Sequence, residues 1–287
     1  MKISAEEREI IQKILDHAKN GTTDMTPQVM HNPVSNYASQ DVLDQEMKIL
    51  FREFPLIMGH ASDLPEPGTF MTNNDTGMPL LITRNRAGEV KAFLNVCRHR
   101  GARVEDRACG KASAFSCPYH SWTYGLDGDL RGMPGAEAFD EINKKDFGLV
   151  EVPAWERFGF IWVRPTPSEE PIDIDAWLKP MEKQLAGLDL GSHVIFESWK
   201  LDRNMSWRLA LEGFQESYHF CHAHAETACS NYLDNQSVWQ QQYPHVRHSV
   251  PLPKILELAE TPEDNWDFRP YFMTQNYLFP ANFIQVM

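Results

Sequence analysis

The sequence predicts an α+β protein, with helices first, a small all-β domain next, and then a return to helix. Three observations carry this. Apolar residues near the N-terminus recur at helical spacing. Between Leu56 and Val163 they recur in short runs broken by turn residues. After Pro165 an acidic, proline-containing segment, TPSEEPIDID, intervenes before helical spacing resumes. The expected boundaries are 1–54 for a helical segment packing on the last domain, 55–165 for the β domain, and 166–287 for the last domain.

The first helix is expected over residues 4–17. Ser4 and Glu7 form a capping box, Ile10, Ile11, Ile14 and Leu15 line one face, and Gly21 ends it. A second helix is expected over 40–51. In the β domain, Arg86-Ala87-Gly88 between two apolar runs reads as a hairpin turn. Helices are expected again over 174–188 and 207–221. In the latter, Trp207, Leu211, Phe214, Tyr218 and Cys221 form an apolar stripe, read as core. Glu212, Glu216 and His219 share a different face, and His222 and His224 follow at once.

The 287 residues suffice for a sizeable core, and 42% hydrophobic with 23% charged residues fits a folded chain. A net charge of −13 argues against nucleic acid and anionic membranes as main partners. No long apolar run predicts a membrane span, and the charged start lacks an apolar signal core. A cytoplasmic protein is expected. Five cysteines do not suggest a disulfide framework. Metal binding or catalysis is the first expectation for any patterned pair.

Such a pattern occupies residues 97–120, CRHRGARVEDRACGKASAFSCPYH. Cys97-x-His99 is followed, after seventeen residues, by Cys117-x-x-His120. Thiolates and imidazoles are transition-metal ligands. A structural zinc is one reading, but zinc fingers usually pair cysteine with cysteine and histidine with histidine. Here each loop carries one of each. That suits a two-iron cluster in which each loop gives its thiolate to one iron and its imidazole to the other, as in a Rieske [2Fe–2S] centre.

The stretches NVCRHRGARV and FSCPYHSWTYGLDGDLRGMP resemble the Rieske domain of ring-hydroxylating, or Rieske non-haem iron, oxygenases. The likeness extends through PLLITRNRAGEVKAFLNVC before them and FGFIWVRP after them. It implies that Cys97 and Cys117 bind one iron and His99 and His120 the other. Cys109 matches no ligand position and reads as an ordinary thiol. The resemblance also implies that the last domain is part of a helix-grip-like catalytic domain, helix plus antiparallel sheet.

Two histidines and a carboxylate are the usual ligands of non-haem Fe(II) oxygenases. The family motif Glu/Asp-x-x-His-x₄-His falls on Glu216, His219 and His224. On one helix, residues five apart point about 140° from each other. The helix must therefore end or bulge between His219 and His224, and His222 is the geometric rival. Gly213 stands where many relatives have asparagine, which leaves the local hydrogen bonding open. Glu216 is one methylene longer than the commoner aspartate. The family's third ligand, a carboxylate, is expected beyond Met287, so the chain reads as a fragment. LFPANFIQ then reads as an early strand of the catalytic sheet, left as an unpaired edge.

The resemblance implies an oxygenase α subunit, a mono- or dioxygenase. Its cofactors would be a Rieske [2Fe–2S] cluster and a mononuclear Fe(II). Electrons would come from NAD(P)H through a reductase or ferredoxin, and O₂ would hydroxylate or demethylate a small organic substrate. Aromatic compounds are candidates, with hydrocarbon catabolism as the setting. A homotrimer is implied, in which Glu216, as the catalytic bridge, joins His219 to His120 of the partner subunit. Two other readings are an electron-transfer protein with an inactive catalytic domain and a zinc-stabilised binding module. Arg98, Arg100, Arg103 and Arg107 crowd the first loop. Ion pairing with Glu105 and Asp106 is the simpler account of them, and docking of an acidic donor or neighbouring subunit the functional one.

Overall fold

The computed structural model describes residues 3–168 and 170–287. It divides into two compact units, Leu43–Leu201, and Met1–Val42 together with Asp202–Met287. These break points differ from the expected 54 and 165. Side chains explain why residues 43–54 and 166–201 group with the β unit. Arg52 donates to the Thr76 carbonyl at 3.1 Å, Arg164 pairs with Glu53, and Arg157 pairs with Asp175 at 2.6 Å.

The β unit centres on a five-stranded antiparallel sheet. Its order is Cys109–Lys111, Thr69–Asn73, Leu80–Arg84, Val90–Leu94, Glu151–Val152. Strand Leu80–Arg84 is buried on both faces because it is sandwiched. Leu80 and Ile82 meet Ile161 and Val163 of a second sheet formed by Leu56–His60, Phe160–Val163 and Ala154–Arg157. Leu81, with Phe70 and Phe93, faces the other way, toward Cys97, Cys117, Trp122 and Tyr124. The hairpin at residues 85–89 forms as expected. Asn85 closes it by accepting the amides of Ala87 and Glu89, and Gly88 supplies the left-handed backbone at φ +84°.

In the other unit, helix Ala5–Asn20 carries the expected capping box on Ser4 and Glu7 and stops at Gly21. Ile10, Ile11 and Ile14 pack with Val238, Ile255, Leu258 and Phe272. The sheet of this unit is a four-stranded antiparallel meander of Val238–Gln242, His245–Pro251, Phe272–Leu278 and Asn282–Val286. The last of these, which begins within LFPANFIQ, pairs with Phe272–Leu278 and lies at the sheet edge.

Two expected helices are interrupted. Residues 174–188 form Ile174–Leu178, a 3₁₀ turn Lys179–Met181 and Glu182–Leu188, because Pro180 cannot continue an α-helical ladder. Residues 207–221 give only Trp207–Gly213, and one further turn follows at Phe220–Ala223. Gly213 is a poor helix former, and Ser217 turns inward to meet Ser237. The apolar stripe is therefore not core, since Phe214 is 50% and Tyr218 67% exposed. Cysteine usage also needs correction, because Cys221 and Cys229 form a disulfide. No described helix is long and apolar enough to cross a membrane.

Candidate metal centres

The loops beginning at Cys97 and Cys117 are conformational repeats. In the first, the Cys97 amide donates to the Ala102 carbonyl at 2.7 Å and the Gly101 amide donates back to the Cys97 carbonyl at 2.9 Å. In the second, the Cys117 amide donates to the Trp122 carbonyl at 2.9 Å and the Ser121 amide to the Cys117 carbonyl at 2.9 Å. Each loop turns through the left-handed region, at Gly101 with φ +74° and at Ser121 with φ +57°. The bonds hold each cysteine at the base of a loop and each histidine near its tip.

The four expected residues come together as two pairs. Cys97 and Cys117 are buried free thiols within hydrogen-bond reach of each other. The His99 and His120 rings lie 4.7 Å apart. Trp122 stacks on His99 at 4.9 Å, nearly parallel, and Phe139 meets both rings edge-on. His99 Nδ1 is buried without a hydrogen-bond partner. A buried imidazole nitrogen left unpaired is costly unless something else binds it. Burial, and then the neighbouring His120, hold His99 below its ordinary value, which favours the neutral form that ligates metal. Burial pushes the Cys117 thiol up, while the Tyr119 and His120 amides aimed at its sulfur pull the other way.

The donor set fits a Rieske cluster: one thiolate pair, one imidazole pair and N–H groups directed at sulfur. Tyr124 adds to it. Its hydroxyl accepts the Arg98 amide at 3.0 Å and lies 3.3 Å from Cys97 Sγ, so its proton is free to point at sulfur. Burial, then Cys97, raise the Tyr124 hydroxyl far above its ordinary value, so it stays a donor. Cys109 lies apart, exposed on a strand paired with Thr69–Asn73. Two of the arginines are ion-paired, Arg107 with Glu105 at 2.6 Å and Arg103 with Asp106 at 3.8 Å.

The second constellation sits where helix 207–221 breaks. His219 caps the start of the single turn Phe220–Ala223 and His224 caps its end. The break removes the angular conflict expected of residues five apart on one helix. Their rings lie 5.1 Å apart at 68°. Two imidazoles on one ion, with metal–nitrogen bonds of about 2.1 Å, place their centroids roughly 5 Å apart. Glu216 grips His219 twice, through its amide at 3.1 Å and through ring Nδ1. That leaves Nε2 of His219 for a metal, as outer carboxylates usually do. His222 faces the Tyr218 ring instead, and Glu212 accepts the Tyr37 hydroxyl at 2.8 Å. This pair fits two positions of an Fe(II) site. Among the described residues no three His, Cys, Asp or Glu side chains converge on one ion.

The sheet supports this segment through residues that carry no sequence signal. Trp239, His248, Gln275 and Gln285 stand in one row across the four strands. Trp239 donates its indole N–H to the Gln215 carbonyl at 2.8 Å, which fixes the face of the row toward Glu216. His248 stacks on Trp239 at 4.9 Å and bonds Gln275 through Nδ1 at 2.8 Å. Burial keeps His248 below its ordinary value. No motif spacing joins residues on four strands. Only the register does.

Comparison with known proteins bears on the family and the fold. Residues 54–153 match the Rieske [2Fe-2S] domain. The chain is 32% identical over 215 residues to a glycine betaine monooxygenase oxygenase subunit of Pseudomonas aeruginosa, covering 74% of this chain and 49% of that protein. It is 33% identical over 198 residues to the large oxygenase component of a 2,4-dinitrotoluene dioxygenase system of Burkholderia sp., covering 66% and 43%. The fold matches the quaternary ammonium Rieske monooxygenase CntA with a TM-score of 0.76 at 20% identity, over 89% of this chain and 67% of that one. It matches naphthalene 1,2-dioxygenase from Rhodococcus sp. with a TM-score of 0.74 at 23% identity, over 96% and 68%. The chain spans about half the length of the curated relatives it matches.

Proposed function

We propose that this chain, a relative of the oxygenase α subunits of Rieske non-haem iron systems, is itself the oxygenase component of such a system. The observation that carries the reading is the coexistence of two dissimilar donor sets. Cys97, Cys117, His99 and His120 form two unlike pairs, while His219 and His224 form a pair of imidazoles with Glu216 behind one of them. When bound, the Rieske group supplies single electrons, and the mononuclear Fe(II) supplies the place where O₂ is reduced beside the substrate.

The protein's own groups do the rest. Tyr124 and the Tyr119 and His120 amides direct hydrogen at the cysteine sulfurs and so set how readily an electron is held there. Trp122 and Phe139 shield His99 from water. His120 is exposed beside Tyr119, the position from which an electron leaves the domain. Glu216 fixes the tautomer of His219, with the proton on Nδ1. In a homotrimer the same carboxylate also reaches His120 of the partner subunit.

The donor is a reductase or ferredoxin drawing on NAD(P)H, and the setting is cytoplasmic. The relatives are named for a quaternary ammonium compound and for aromatic compounds, so both classes belong in the test. Anaerobically reduced protein, loaded with Fe(II), is given O₂ with and without candidate substrates. Substrate-dependent oxygen uptake with a hydroxylated or demethylated product is the expected result. A cluster that reduces and reoxidises identically with every substrate, and yields no product, identifies an electron-transfer protein instead.

A further inference from the structure

A covalent bond closes the loop that carries His224. Cys221 and Cys229, eight residues apart, form a disulfide, whereas Cys97, Cys109 and Cys117 are free. Residues 222–227 between them are all exposed, and none of residues 222–228 is among the buried residues of the unit. Packing therefore does little to hold this loop. Backbone bonds gather it around one oxygen. The His224 carbonyl accepts the amides of Thr227 at 3.1 Å, Ala228 at 2.9 Å and Cys229 at 3.1 Å. At the other end, Cys221 lies one residue beyond Phe220, whose carbonyl takes the His224 amide at 2.9 Å, and two beyond His219. The disulfide thus ties the segment that orients His219 to the segment that orients His224. Exposed loops without buried contacts open at little cost, and a cross-link removes most of that freedom.

We propose that Cys221 and Cys229 are a reversible oxidation site. Its disulfide form holds His219 and His224 in register for a metal ion, and its dithiol form lets them part. This rests on reading His219 and His224 as ligands of one ion. The oxidant is a peroxide. The two thiols give up two electrons and two protons, the S–S bond forms, the O–O bond breaks, and two waters leave when the peroxide is hydrogen peroxide. The reductant is a dithiol. One of its thiolates attacks one sulfur of the bond, the other cysteine leaves as thiolate, and the reductant closes its own disulfide while two protons pass to Cys221 and Cys229. Disulfides are rare in a reducing cytoplasm and there tend to be redox-sensing rather than structural. This one lies beside a proposed metal site.

The test uses the Fe(II)-loaded protein under anaerobic conditions. Alkylation in denaturant without reductant, followed by peptide mass spectrometry, should label Cys97, Cys109 and Cys117 and recover residues 221 and 229 as a linked peptide. After dithiothreitol, a chelator should strip the mononuclear Fe(II) at least ten times faster, with the visible absorbance of the cluster unchanged. Stoichiometric hydrogen peroxide, given to the protein after the dithiol and the mononuclear iron are removed and before Fe(II) is loaded again, should restore slow release, which separates a switch from misfolding. The double variant Cys221→Ser, Cys229→Ser should release iron fast and ignore both reagents, and Cys109→Ala should behave as the unaltered protein. Full alkylation of Cys221 and Cys229 after peroxide, or equal release rates in both redox states, overturns the proposal. A His219→Ala, His224→Ala variant that holds the same iron as the unaltered protein would show instead that the metal site itself was misassigned.

Discussion

The two candidate centres use the same residue types on different supports. Around Cys97 and Cys117, two loops with matching hydrogen-bond closure lie against a strand, Leu80–Arg84, that is buried on both faces, and both thiols share a buried cluster with Phe115, Trp122 and Tyr124. Around the half-buried His219 and the exposed His224, the support is one helical turn, the Glu216 carboxylate and a disulfide. The first arrangement encloses its donors and closes them with backbone bonds. The second leaves His224 open to solvent. Rigidity here follows from burial and backbone closure, and access follows from their absence.

The largest effect that tests this contrast is loss of one cluster ligand. Cys117→Ser or His120→Ala should abolish the visible absorbance and the cluster EPR signal, because each side chain supplies one of the four proposed bonds to the cluster. Retention of both signals in either variant breaks the first half of the comparison. His224→Ala should weaken mononuclear iron on the order of 100-fold while the cluster spectrum stays intact. Isothermal titration with Fe(II) or Co(II) measures it, and unchanged affinity would place the ion elsewhere.

Glu216→Gln sharpens the contrast further. It keeps the shape of the side chain and removes the charge that orients His219. Both metals should remain, and single-turnover electron transfer between them should slow by about 10- to 100-fold. A normal rate would reduce Glu216 to a structural hydrogen bond. In the rigid centre, Tyr124→Phe should only tune. Loss of about 1 kcal/mol of hydrogen bonding to Cys97 lowers the one-electron potential by roughly 40 mV. Protein-film voltammetry reads that shift, and a potential that does not fall removes the tyrosine from the electronic account.

The smallest effect concerns the second loop itself. Ser121 sits at φ +57°, where its counterpart Gly101 is free of penalty. The left-handed conformation costs a non-glycine residue about 1–2 kcal/mol, and glycine costs about 0.5–1 kcal/mol in chain entropy, so Ser121→Gly should stabilise by up to about 1 kcal/mol. Calorimetric melting tests this, and a destabilised variant would mean that the serine side chain holds the loop.

The cluster was legible in the sequence because it is local. The four proposed ligands fall within residues 97–120, and loop spacing alone brings unlike donors together. The hairpin at Asn85 and Gly88 and the capping box at Ser4 were legible for the same reason. The loop that carries His219 and His224 was only partly so. Periodicity extends Trp207–Gly213 to residue 221, because the apolar spacing continues through a stretch whose backbone turns away. Phe214 and Tyr218 keep that spacing while standing in solvent. Counting five cysteines conceals a disulfide set by a turn that no spacing rule describes. Trp239, His248 and Gln275 were invisible because strand register, not chain order, makes them neighbours.

One measurement bears most directly on the claim that this chain holds two unlike iron sites. It is the Mössbauer spectrum of ⁵⁷Fe-enriched protein, loaded anaerobically with Fe(II). The account predicts two ferric doublets of equal area from the oxidised cluster, unlike each other because Cys97 and Cys117 serve one iron and His99 and His120 the other. It predicts a separate high-spin Fe(II) doublet that vanishes in the His219→Ala, His224→Ala variant and leaves the ferric pair untouched. A single class of cluster iron, or an Fe(II) doublet that survives the loss of both histidines, would contradict it.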